Sequence, residues 1–303
     1  MQPSTILMIR PVNFGYNEQT AESNAFQRKD AATDVQQNAL AEFDNFVEKL
    51  RAEGINVIVM DDTPSPHTPD SIFPNNWISF HEDGSIFIYP MQAPNRRDER
   101  RTKDVINILA DRYEIDNIED LTKFEDQDLF LEGTGSMVFD RLNKIAYACL
   151  SPRTDQIVVD EFCRRSGYSA VTFNSFDEQG TRIYHTNVLM CIAESFAVIC
   201  LDTITDEQQR KAVSTKLQQS GKEVIEISQA QLRFFAGNML ELTNKDGKKV
   251  LIMSEQAYSS LNNDQINTLQ RYAKIVHSSL QTIEINGGGS ARCMMAEICL
   301  PAI

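Results

Sequence analysis

The sequence predicts an α/β protein built as a ring of five repeated units, with the whole chain, residues 1–303, forming one domain. Three observations predict it. A short polar or glycine-containing motif returns along the chain at near-constant spacing. Each motif leads into two apolar segments joined by a turn, then an amphipathic helix, then a further apolar segment. The motif residues Asn76, Glu132, His185, Asn238 and Cys293 are separated by 56, 53, 53 and 55 residues. A radial repeat of about 55–60 residues per unit brings such distant positions to one point, at the mouth of a central channel. Length alone, at ~100–200 residues per domain, suggests two domains; the spacing overrides it.

The first unit reads as a strand over 5–9, a helix over 34–53 and a strand over 55–60. In the second, the F-P-N-N-W motif of residues 73–77 opens strands over 78–80 and 85–89. Asp83-Gly84 between them is a strong hairpin signal. Val105, Ile106, Leu109 and Ala110 then give helical spacing within 97–112. The third unit opens at 131–135, with strands over 136–139 and 144–150, a helix over 155–165 stopped by Gly167, and a strand over 169–173. The fourth opens at 184–187, with strands over 188–192 and 196–201, a helix from Thr205 to just before Gly221, and a strand over 222–227. The fifth opens at 236–238, with strands over 239–242 and 249–253, a helix over 263–275 and a strand over 282–285.

Composition narrows the partners. Lys and Arg number 29 against 43 Asp and Glu, a net charge of −14. Such a chain repels polyanions, so nucleic acid and anionic membranes are not expected partners. Asp98 and Glu99 interrupt the one basic cluster, Arg96, Arg97, Arg100 and Arg101. No apolar run approaches the ~18 residues that span a bilayer, and residues 1–10 lack a basic start and a long h-region. The six cysteines form no C-x-x-C pair and several sit in apolar runs, as buried free thiols of a reducing, cytoplasmic compartment do. No metal site is expected.

Three residues on the repeat register are candidates for chemistry. Cys293 follows three consecutive glycines, 287–289, which permit close backbone approach. Backbone N–H groups and Arg292 nearby favour a thiolate there; an inert buried thiol is the other reading. His185 is the one histidine of four that falls on the register. A histidine paired with a cysteine activates the thiol or protonates its leaving group. Glu132, beside Gly133 and Gly135, suits a carboxylate that orients His185 or bonds a substrate N–H.

The segments Leu131–Ser136, Tyr184–Asn187 and Asn286–Met294 resemble the motifs of the pentein superfamily, which includes arginine deiminases, amidinotransferases and dimethylarginine hydrolases. The resemblance covers nearly the whole chain. It implies a five-bladed, pseudo-symmetric α/β propeller of ββαβ repeats, with Cys293 as nucleophile, His185 as general acid/base and Glu132 as its partner. The family's arginines for the substrate α-carboxylate lie in an R-R-x-E motif, matched by Arg96-Arg97-Asp98-Glu99, and an S-x-R-T motif, matched by Ser151-Pro152-Arg153-Thr154. Those roles carry over to Arg97 and Arg153. Phe73, heading the second motif, is expected to contact substrate. The resemblance implies no cofactor and a small amino-acid substrate with a ureido or guanidino group; the oligomeric state, a homo-oligomer among the alternatives, is left open.

One departure bears on the substrate. Members resembling arginine deiminase carry aspartates where this chain has Asn76 and Asn187. Those carboxylates hold a cationic guanidinium, whose buried charge is costly when unpaired. Asparagine is neutral and offers both a donor and an acceptor, which suits a ureido group. The expected activity is therefore a citrulline ureidase, giving ornithine, CO2 and ammonia through an S-carbamoyl enzyme. Backbone N–H groups near Gly287–Gly289 are expected at the oxyanion. A guanidine-modifying enzyme acting on arginine is the alternative, and a non-catalytic binding module a further one. Turn chemistry marks 13–15 and 91–94 as candidate lids.

Overall fold

The computed structural model describes residues 4–29 and 34–303. The described residues form five three-stranded sheets. Every sheet has the same plan, an antiparallel pair with a third strand running parallel to the second. A parallel neighbour demands a crossover, and helices supply it on the outer side.

In the second blade Ile78–Phe80 pairs with Ser85–Ile88, and Asn117–Asp120 follows. The third blade is Met137–Asp140, Ile145–Cys149 and Ser169–Phe173. The fourth is Met190–Ile192, Phe196–Ile199 and Glu223–Glu226, and the fifth Leu240–Thr243, Lys249–Ser254 and Lys274–Ser278. The first blade joins the two ends of the chain. Ala296–Ile298 lies antiparallel to Thr5–Arg10, with Thr5 opposite Ile298, and Asn56–Asp61 lies parallel on the other side. The first strands touch between the first and second, third and fourth, and fourth and fifth blades; at the other two junctions a turn bridges, residues 133–136 against Ile78–Phe80 and residues 291–294 against Lys249–Ser254.

The crossover helices begin and end where local chemistry dictates. Asp155 caps Gln156–Ser166 by accepting the Ile157 N–H, and Gly167 ends it at φ 72°, which only glycine adopts without strain. Asp206 caps Glu207–Gln219 in the same way. Val35–Ala52 buries Phe43, Phe46 and Leu50 against the first blade. The core is thus a set of apolar layers between sheets and outer helices, around a centre left to polar groups. No helix among the described residues is long and apolar enough to cross a membrane.

Two expectations change in the fifth blade. The outer helix stops at Gln270, and Lys274–Ser278 is the closing strand, with Ile275 opposite Leu251. The segment 282–285, expected as a strand, lies in a helix, Gln281–Gly287. Four residues of alternating Thr-Ile-Glu-Ile are too few to separate the two periods. Gly288 settles the outcome: at φ 63° it caps the helix, its N–H on the Glu284 carbonyl. In the second unit the helix expected over 97–112 is two pieces, Pro94–Arg97 and Thr102–Leu109.

The motifs occupy equivalent places. Short helical turns, Pro74–Asn76, Gly133–Ser136, Thr186–Leu189 and Ala291–Met294, lie just before the first strands of four blades. Asn238 holds the fifth place in a turn set by Phe235 at φ 59°. The turns pack on one another around the axis.

Candidate active site

The five register positions meet at one end of the ring. Glu132 and His185 each stand immediately before the helical turn of their blade. The Glu132 carboxylate (Oε2) lies 2.9 Å from His185 Nε2. Asn187 and Asn238 each direct a side-chain N–H at the Cys293 sulfur, at 3.3 Å. All are buried: Cys293 is 3 % exposed, His185 2 % and Asn238 0 %. Gly135 is required by this crowding. A Cβ there falls 2.3 Å from Asn76 Nδ2 and 2.8 Å from His185 Nδ1.

Asn76, His185 and Cys293 line a small cavity with Asn24, Asp70, Phe73, Arg96, Arg153, Tyr184 and Gly287–Gly289; Glu132, Asn187 and Asn238 are not part of that lining. The Phe73 ring packs on the glycine loop, where a Cβ on Gly287 or Gly289 falls within 2.9 Å of it. The carbonyls of 287 and 288 accept from Asn24, and that of 288 also from the Tyr184 hydroxyl. The Arg292 guanidinium, expected near the sulfur, turns away to the Met295 carbonyl and the Glu297 carboxylate.

Arg96 is the buried arginine of the R-R-x-E motif. It grips Glu99 with two bonds of 2.9 Å and donates to Asn76 Oδ1 at 3.0 Å. Because a guanidinium only donates, this bond fixes the Asn76 amide with its NH2 turned away from Arg96, toward Gly135. That nitrogen is buried and has no partner; nor has the Asn187 Oδ1. Arg97 does not line the cavity. Its side chain is 31 % exposed and bonds the Met91 and Gln92 carbonyls near Glu125. Helical geometry explains the split, since adjacent residues point to different sides. Arg153 does line it, lying over the Tyr184 ring at 4.9 Å and 3.5 Å from Glu132.

The segment covering the cavity is 17–28. Thr20 offers its carbonyl and Ser23 its hydroxyl oxygen to Arg153, at 2.9 and 2.6 Å. Gln27 holds the Asn286 carbonyl, and the Phe26 ring packs against Phe235 and Tyr184. The candidate lids fall elsewhere. Phe14 is buried beneath the glycine loop, and the 91–94 turn supplies the Gln92 N–H to Glu132 at 3.1 Å.

Burial and charge set the protonation states. Burial lowers the His185 pKa to about 4, against the opposing pull of Glu132. Its ring is neutral at pH 7. Burial also works against the Glu132 charge, but the Arg153 guanidinium and the His185 bond outweigh it and hold that carboxyl below its ordinary range. Burial raises Asp70, with Arg96 opposing. One of its oxygens accepts from Asn17 at 2.8 Å; the other is buried without a partner. Asp70, Arg96 and Asn238 have no role in the sequence reading. The first two lie off the repeat register, whereas Asn238 was visible on it.

Over residues 10–300 the sequence matches the family described as N,N dimethylarginine dimethylhydrolase, eukaryotic. The chain belongs to this family, within the pentein superfamily. No curated protein matches its sequence significantly. Among solved structures, the N-terminal domain of ArgZ covalently bound to a reaction intermediate is similar, at TM-score 0.77 and 16 % identity over 98 % of both chains. Full-length ArgZ is an arginine dihydrolase from the ornithine-ammonia cycle in cyanobacteria, and this pentein spans 41 % of its length. A dimethylarginine dimethylaminohydrolase adduct with 4-chloro-2-hydroxymethylpyridine is similar at TM-score 0.65 and 14 % identity, over 98 % of this chain and all of that one. At such identities the likeness is one of fold, five blades around one site. Family and fold together place this pentein among arginine-modifying hydrolases.

Proposed function

We propose that this pentein hydrolyses the ureido group of citrulline to ornithine, CO2 and ammonia. One observation carries the reading. The two buried atoms left unpartnered by Asn76 and Asn187 are one N–H donor and one carbonyl acceptor. Leaving such atoms unpaired costs roughly 1–3 kcal/mol each. A ureido group satisfies both, its oxygen accepting from Asn76 and its N–H donating to Asn187. A guanidinium offers no acceptor to Asn76.

The rest of the substrate has matching groups. In this reading the substrate α-carboxylate takes over Arg153 N–H groups that now donate to the Thr20 and Ser23 oxygens. Arg97 bonds the Gln92 carbonyl, and Ser23 donates to the Gln92 side chain, so Arg97 reaches that position only through Gln92. The unpartnered Asp70 oxygen suits the α-ammonium. Glu132 stays bound to His185.

His185 is neutral, so it first takes the Cys293 thiol proton. The thiolate attacks the ureido carbon, and His185 then passes that proton to the departing ornithine nitrogen as the C–N bond breaks. This leaves a carbamoyl thioester on Cys293. Water, deprotonated by His185, attacks the thioester. Carbamate leaves, the thiol regains its proton, and carbamate decomposes to CO2 and ammonia.

A second reading has its own support. Dimethylarginine hydrolases act on a guanidino group, and Asp70 supplies a buried carboxylate in the cavity. Separate incubations with citrulline and arginine, assayed for ornithine, citrulline and ammonia, decide between them. Ornithine and ammonia from citrulline are the expected products. Citrulline accumulating from arginine, with no turnover of added citrulline, overturns the ureidase reading.

A further inference from the structure

We propose that Asn238 is a catalytic residue, a neutral N–H donor that stabilises the Cys293 thiolate. The inference rests on Cys293 being the nucleophile of the proposed reaction. Asn238 is wholly buried in the opening turn of the fifth blade, its N–H on the Phe235 carbonyl at 2.8 Å. The orientation of its amide is fixed by its neighbours. The Arg292 backbone N–H can only donate, and it lies 2.9 Å from Oδ1. The NH2 group therefore faces the other way, where two acceptors wait: the Asn187 carbonyl at 2.8 Å and the Cys293 sulfur at 3.3 Å. A flipped amide loses all three bonds.

The sulfur thus receives one N–H from Asn238 and one from Asn187. The nearest cationic side chain in sequence, Arg292, is committed elsewhere. Hydrogen bonds to the charged form favour it, so these two amides take the place that a cation holds at many reactive thiols. The two asparagines differ in one respect. Asn187 has a free oxygen for substrate, whereas both polar atoms of Asn238 are taken. Asn238 therefore acts on the reactivity of the sulfur and not on recognition.

The Asn238→Asp variant keeps the volume and the acceptor for the Arg292 N–H but sets a carboxylate oxygen against the sulfur. Iodoacetamide labelling of Cys293, read by peptide mass spectrometry at pH 7 and pH 10, is the test. In Asn238→Asp the pH 7 rate is expected to fall about tenfold or more, with much of the loss recovered at pH 10. The kcat for citrulline is expected to fall in step, with KM within about twofold. If thermal melting shows that this variant does not fold, Asn238→Ala removes the donor without adding charge, and labelling at pH 7 is expected to slow in the same direction. A folded variant labelled at the wild-type rate at both pH values overturns the inference alone. A wild-type Cys293 that resists labelling, in a protein whose Cys293→Ala variant still turns over citrulline, overturns the nucleophile reading and this inference with it.

Discussion

In the proposed reaction the neutral side chains of Asn76 and Asn187 set selectivity. Each is already tied down by one partner, Arg96 for the first and the Cys293 sulfur for the second, so each presents a single committed atom to the substrate. Changing both to Asp replaces a donor–acceptor pair with two buried charges that only a cation relieves. The double variant Asn76→Asp/Asn187→Asp is expected to lose about a hundredfold in kcat/KM for citrulline, on the several kcal/mol that an unpaired buried charge costs. Arginine turnover should rise in the same variant, and steady-state kinetics on both substrates check this. The arginines divide as sharply. Arg153→Ala removes the groups placed for the α-carboxylate and is expected to raise KM about tenfold or more, whereas Arg97→Ala, at the exposed rim, raises it less. Glu132, His185 and Cys293 were legible in the sequence because the repeat register singles them out. Asp70 and Arg96 were not. Neither has a counterpart in the other units, and the partner that buries Arg96 is Glu99 on the next turn.

The motif turns are the elements that turn a repeat into a site. In the third and fifth blades the turn leaves no room for a Cβ, at Gly135 and Gly237. Gly135→Ala drives a methyl into Asn76 and His185, so it is expected to lower kcat about a hundredfold, the usual cost of misplacing a reacting group by about 1 Å, with little loss of thermal stability. Gly237→Ala behaves in the opposite way. Its Cβ meets the Val188 carbonyl oxygen at 2.5 Å and the Leu189 carbonyl carbon at 2.6 Å, both backbone. It should lower the melting temperature more than it lowers the kcat of the folded fraction. Hairpins of four blades and the capped helices of the third and fourth were readable, because Asp-Gly turns, Asp caps and αL glycines act locally. The Gln281–Gly287 helix was not, since its burial comes from packing on the distant Val35–Ala52 helix. The segment covering the site was invisible for a similar reason: Thr20, Ser23 and Asn24 are ordinary surface residues until the ring brings Arg153 and the glycine loop beneath them.

At the scale of the whole molecule, buried histidines couple folding to pH. Burial lowers His185 to about 4, and burial together with Arg141 lowers His81 to about 3, within the aromatic layer of Phe87, Phe139 and Phe162. Both are neutral in the folded chain and protonate near 6.5 when unfolded. Below that pH these two groups bind more protons in the unfolded state, so their contribution to stability falls as pH drops from about 6.5 toward 4, by about 1.4 kcal/mol per pH unit for each. Burial raises Glu99 to about 8 and Glu284 to about 7, which acts in the opposite sense over this range. The histidine part is therefore read by difference: in denaturant melts His81→Gln should lose less stability than the wild type as pH falls. The net charge of −14 disfavours polyanion partners. The central claim is that Cys293 attacks the carbon of a ureido group. Its most direct test is to mix the protein with citrulline labelled with 13C at the ureido carbon, quench in acid, and map the peptides by mass spectrometry. The account predicts a labelled carbamoyl group on Cys293 that is absent from the Cys293→Ala variant. Ornithine formed with no label on Cys293, even in a variant slowed at His185, contradicts it.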